Sequence, residues 1–128
     1  MKKVFICSPY SVKHITEPHL AQHLLERNIG RAHMMCLLAV KQGCNPFAPH
    51  LFYPQFLDDD ILEQREAGIS CGSAFLKVCD EMWVLDVEPS KGMQCEINLA
   101  KVWGIPIMKI PLSSLITGDQ DAESDIEI

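Results

Sequence analysis

The stretch DEMWVLDVEPSKGMQCEINLAKVWG, Asp80 to Gly104, decides how the chain is read. Met82, Trp83, Val84 and Leu85 form a short apolar run between acids, the length of a buried strand. Pro89 and Gly92 punctuate the loop that follows, and Ser90 is placed to cap a helix. Stepped at about 100° per residue, that helix gathers Met93, Ile97, Leu99, Ala100 and Trp103 into one broad apolar arc. Glu96 falls inside the arc, between Ala100 and Trp103, while Gln94, Asn98 and Lys101 take the opposite side. Burying an unpaired carboxylate is costly and raises its pKa, so this position asks for a reason.

Working outward, Lys3 to Cys7 is a β-branched and aromatic run that reads as a central parallel strand. It ends at Ser8-Pro9-Tyr10-Ser11, where a doubly wound sheet places its ligand loops. Pro18 opens a helical pattern that could run to Lys41 with an interruption near Asn28. Ile29, Cys36, Leu37 and Val40 make its apolar face, and Gly43 is its stop. Cys44 to His50 reads as a short second strand despite Pro46 and Pro49. Leu51 to Leu57 reads as a loop crowded with Phe52, Tyr53 and Phe56, either a lid, a subunit contact or local packing. Asp58, Asp59 and Asp60 favour the start of a helix running to Val78, weakened by Gly68 and Gly72. Pro106 to Ile110 is the last strand. The order βαβαβαβ predicts a three-layer α/β sandwich: a doubly wound, Rossmann- or flavodoxin-like parallel sheet of four or five strands. One domain is expected over 1–117, with an acidic, mobile tail over 118–128.

Composition narrows the function classes. The 128 residues are 48% hydrophobic and 22% charged, ordinary for a soluble globular protein. No apolar stretch approaches the roughly 20 residues of a membrane span, and a cytoplasmic protein without a membrane partner is expected. Five of the 17 acids lie after Gly118, which leaves the body with twelve acids against 11 bases. No basic stripe marks a nucleic-acid polymer as partner. Six cysteines form no C-x-x-C pair and read as buried reduced thiols. His14, His19, His23 and His33 have no partner at metal-ligand spacing, and no metal or organic cofactor is expected.

Several residues can carry chemistry. Ser90, Lys91, Gly92 and Met93 sit where a strand end meets a helix N-terminus, a place suited to a phosphate or a sugar hydroxyl. The same pattern serves equally as a plain N-cap with a turn glycine. Glu96 on the inner helix face could attack an anomeric carbon and form a glycosyl-enzyme intermediate. Alternatively it is a buried glutamate satisfied by a neighbouring Tyr, His or Arg. Asp86 ends its strand facing the same crevice, where it fixes a base or sugar hydroxyl or merely terminates the strand. His50 follows a strand end and either touches substrate or is incidental. Arg65 pairs with Glu96 or, on the favoured reading, forms a surface salt bridge.

The segments VFICSPY and CDEMWVLDVEPSKGMQCEINLAKVWGIPI resemble the nucleoside 2-deoxyribosyltransferase superfamily, which includes nucleotide N-hydrolases. The specific part is an Asp-ending strand followed by Ser-x-Gly-x-x-x-Glu, matched by Asp86, Ser90, Gly92 and Glu96. The resemblance implies that Glu96 is the nucleophile, that Ser90 contacts a 5′-phosphate, and that Ser8, Pro9 and Tyr10 form the first substrate loop. It also implies a small-molecule nucleoside or nucleotide partner and a homo-oligomer, with Leu51–Phe56 as a candidate contact. Two positions depart from the family. Its first-strand tyrosine aligns with Phe5, and the acid that helps protonate the leaving base aligns with Gly72. Tyr10 or His50 could substitute.

The expected function is cleavage or transfer at the N-glycosidic bond of a (deoxy)nucleoside or its 5′-monophosphate. The alternative is a non-catalytic nucleotide-binding or regulatory module that keeps the fold and the anion loop.

Overall fold

The computed structural model describes residues 1–115; the expected acidic tail lies outside the described residues. Four strands form one parallel sheet: β1 (Lys3–Cys7), β2 (Asn45–Phe47), β3 (Glu81–Leu85) and β4 (Ile107–Ile110), in the order β2-β1-β3-β4. The register sets Ile6 opposite Trp83, and Val84 opposite Lys109. Helices α1 (Pro18–Lys41), α2 (Pro49–Phe52), α3 (Leu62–Val78) and α4 (Lys91–Val102) join them, with a 3-10 turn at Tyr53–Gln55.

The pleat of β1 and β3 sorts the core into two layers, because successive side chains leave a strand on opposite faces. Val4, Ile6, Trp83, Leu85 and Ile110 pack under Met35 and Ala39 of α1. Phe5, Cys7, Met82 and Val84 pack under Leu76 of α3 and Met93 and Ala100 of α4. Each large side chain enclosed this way contributes about 1.5–3 kcal/mol relative to exposure. With helices on both faces the expected three-layer α/β sandwich is present, with four strands. The α1 connection lies on one face and those of α3 and α4 on the other. This places the topological switch between the carboxyl ends of β1 and β3, where ligands bind in such sheets.

Five local expectations need correction. The helix from Pro18 runs unbroken through Asn28, which is buried, and its inward face is Asn28, Ala32, Met35 and Ala39. Val40 points outward. The second strand stops at Phe47, because Pro49 opens a helical turn in place of a strand end. The aromatic segment after it is therefore helical and 3-10 rather than a loop. Asp58 to Asp60 form a turn before α3, which starts at Leu62. Asp60 N–H donates to Asp58 Oδ1 at 2.9 Å, and Asp58 N–H donates to Gln64 Oε1 at 2.7 Å. Finally, Cys7 alone of the six free thiols is buried, and Cys71 and Cys95 are exposed on outer helix faces.

Candidate active site

Two buried or half-buried glutamates show what is ordinary here and what is not. Glu81, on β3, accepts from Trp83 Nε1 at 2.7 Å and pairs with Lys2 Nζ at 3.2 Å, so its burial is compensated. Glu96, on the inward side of α4, has no such support. Its Oε1 is enclosed and has no hydrogen-bond partner, the single side-chain atom of this kind among the described residues. Burial pushes its carboxyl up to about 7, and the influence of the Cys7 thiol works in the opposite direction. Neither Tyr, His nor Arg satisfies it. Arg65 is exposed on α3 and forms no ion pair among the described residues.

Helix α4 starts where the sequence places it. Ser90 is extended at the N-cap and its Oγ accepts from Met93 N–H at 3.2 Å. The Met93 N–H serves the cap, and the Met93 side chain is buried in the core. The first-turn N–H groups of Lys91 and Gly92 have no intrahelical acceptor by position, and the helix dipole favours an anion there. A Cβ added at Gly92 would meet nothing closer than Ser90 Oγ at 4.0 Å, so the space above this turn is open.

Cys7 ends β1 on the face covered by α3 and α4. Its Sγ lies 3.9 Å from the Met93 carbonyl, within weak hydrogen-bond reach. Burial, then the charge of Glu96, drives the thiol pKa strongly upward. Ser8, next in the chain, is buried, and Pro9 and Tyr10 are half-buried. Tyr10 stacks on His50 of α2 with ring centroids 4.8 Å apart and planes 14° from parallel. Burial lowers the His50 pKa to about 4 against the opposing pull of Asp59, so this imidazole is neutral at physiological pH. Burial and the Asp59 carboxylate both raise the Tyr10 phenol.

The loop that carries Tyr10 is tied down at two further points. Asn28 Nδ2 donates to the Tyr10 carbonyl at 3.0 Å. Lys13 Nζ pairs with Asp60 at 2.9 Å and Asp59 at 3.4 Å. These acids thus anchor a loop instead of starting a helix. Two side-chain groups result, one of Cys7 and Glu96, the other of Tyr10, His50 and Asp59, linked along the chain through Ser8 and Pro9. Asp86 stands apart. It opens onto a cavity of about 470 Å³ shared with Gln94, Asn98, Lys101 and Lys109, and Glu96 is not among the lining residues.

Sequence reasoning missed Cys7, Lys13, Asn28 and Asp59. Each acts across a long separation in the chain, and the acidic run that holds Asp59 reads locally as a helix start. The two departures noted above also acquire a structural setting. Phe5 is enclosed in the core with its ring tilted 49° to that of Phe47. Gly72 is buried, and an added Cβ would lie 3.9 Å from both Pro49 Cβ and Tyr53 Cε2. Among the described residues no group of three or more His, Cys, Asp or Glu could hold a metal ion, and no helix is long and apolar enough to cross a membrane.

A family model described as a domain of unknown function (DUF7768) matches residues 2–110. No curated protein sequence matches the chain. Among solved structures, a 2-deoxyribosyltransferase from the psychrotolerant bacterium Bacillus psychrosaccharolyticus aligns with a TM-score of 0.53 at 17% identity. The alignment covers 85% of this chain and 72% of that one. At this identity the likeness establishes the fold alone.

Proposed function

The chain belongs to the DUF7768 family, and from that premise we propose that it cleaves or transfers at the N-glycosidic bond of a (deoxy)nucleoside or nucleoside 5′-monophosphate. The observation that carries this reading is Oε1 of Glu96, enclosed without a hydrogen-bond partner beside Cys7 at the end of β1. An ionised carboxylate without partners costs stability, whereas a nucleophile needs one. Glu96 attacks C1′ of the sugar, the C1′–N bond breaks, and its electron pair leaves with the base, which takes up a proton. Water or a second base then attacks C1′ and frees the carboxylate. The Ser90 hydroxyl and the open N-terminal turn at Gly92 hold the phosphate or a sugar hydroxyl. Ser8, Pro9 and Tyr10, with neutral His50 stacked behind the tyrosine, form the wall against the base.

The second reading, a non-catalytic nucleotide-binding module, is favoured by two observations. Phe5 offers no hydroxyl, and Gly72 supplies no acid at a place that Pro49 and Tyr53 cover. The test incubates the protein with ribo- and deoxyribonucleosides and their 5′-monophosphates, with Glu96→Ala in parallel, and follows free base by chromatography. Base release by the wild type and not by the variant supports the enzyme. Thermal stabilisation by one nucleotide without release supports the binding module. Loss of both signals sinks the proposal.

The homo-oligomer we propose would close over the apolar face of Phe52, Phe56, Phe75 and Val78, which are 49%, 59%, 46% and 59% exposed. Such a contiguous patch is more than a soluble monomer usually leaves open.

A further inference from the structure

Cys7 and Met93 meet at the junction of β1 and α4, and Glu96 stands one turn beyond Met93 on the same side of that helix. The thiol Sγ is 3.9 Å from the Met93 carbonyl, while Glu96 Oε1 is enclosed without a partner. The pleat places Cys7 and Phe5 on the same face of β1, the face that α3 and α4 cover. Phe5 cannot donate a hydrogen bond. Cys7 can, and its S–H turns freely about the Cβ–Sγ bond. Burial raises the Glu96 carboxyl, and the Cys7 thiol is the titratable group that acts against it.

We propose that Cys7 is the positioning residue for Glu96: its thiol proton rests on the Met93 carbonyl while Glu96 is protonated, and turns to the carboxylate when Glu96 ionises. Glu96 gives its own proton to solvent, and the thiol keeps its proton throughout. Enclosed beside a carboxylate, the thiol is far harder to ionise than Glu96, so it remains a donor wherever Glu96 is charged. This hydrogen bond both fixes the rotamer of the attacking carboxylate and favours its charged form. The catalytic meaning of the contact rests on the N-glycosidic reading; the contact itself does not.

The test titrates the Glu96 carboxyl by carbon NMR in protein labelled with 13C-glutamate, comparing wild type, Cys7→Ala and Cys7→Ser. Base release against pH is measured in parallel. Losing the donor should raise the Glu96 midpoint by about one pH unit and shift the acid limb of the rate profile with it. Cys7→Ser, with a stronger donor, should bring both to or below the wild-type position. An unchanged midpoint in Cys7→Ala overturns the proposal. If that variant does not fold, an unchanged or raised midpoint in Cys7→Ser overturns it equally. If even the wild type releases no base, the N-glycosidic reading has failed, and the NMR midpoints still decide the role of Cys7.

Discussion

The side-chain amide of Asn28, midway along α1, donates to the carbonyl of Tyr10 at 3.0 Å. A helix on one face of the sheet thereby holds the loop at the carboxyl end of β1. Asn28 is itself buried, so its amide has no water to fall back on. Replacing it with alanine leaves the Tyr10 carbonyl without this donor. Asn28→Ala should cost about 1–3 kcal/mol in urea denaturation. Because the loop is loosened while Glu96 is not, KM should rise more than kcat falls.

Glu96 and His50 make opposite contributions to stability across the same pH range. The Glu96 pKa is raised to about 7 in the folded protein, so its contribution is full below its unfolded value and is lost as pH rises through about 7. The His50 pKa is lowered to about 4, so the folded state takes up its proton less readily; its contribution is present above the unfolded value of about 6.5 and is lost as pH falls toward 4. Each amounts to about 3 kcal/mol, and the two slopes largely cancel between pH 4.5 and 6.5. Glu96→Gln should unmask a stability that climbs with pH in this window, and His50→Phe one that declines. Denaturation at several pH values measures both, and a flat profile in either variant contradicts the burial assigned to the group removed.

Gly72 tests how closed the α2–α3 contact is. A Cβ there meets Pro49 and Tyr53 at 3.9 Å, an ordinary contact. Gly72→Ala should therefore raise stability by up to about 1 kcal/mol through helix propensity. Gly72→Asp should lower it, since a carboxylate would be buried against Pro49 and the Tyr53 ring. Thermal unfolding of the two variants should move in opposite directions.

The apolar face gives a prediction independent of catalysis. Phe56→Ser combined with Val78→Ser removes the two most exposed members of the patch formed with Phe52 and Phe75. Light scattering should report an assembly in the wild type and a monomer in the double variant. A monomeric wild type removes this contact from consideration.

The parts of the fold that are legible in the sequence are those whose signals are local. β1, β3 and α4 announce themselves by apolar runs and period, and Ser90 by its place before a helix. Glu96 is visible because a charge inside an apolar arc violates that period. The region from Phe47 to Leu62 is misread because Pro46, Pro49 and Pro54 break every periodic pattern, and a four-residue helical turn carries too few residues to show one. Asn28 looks like a helix break because its side chain competes with the backbone for hydrogen bonds in isolation. Here it is satisfied by Tyr10 instead. The pairing of Cys7 with Glu96 depends on β1 and α4 meeting in space, and no window of sequence contains both.

Pro49 and Tyr53 cover Gly72, and the same turn delivers His50 to Tyr10. The glycine and the turn therefore constitute one heritable unit. A carboxylate at position 72 would be buried against Pro49 and the Tyr53 ring, and removing the turn would discard the histidine. An acid at position 72 would require both segments to be rebuilt together, a coupling that the identity of one glycine would never reveal.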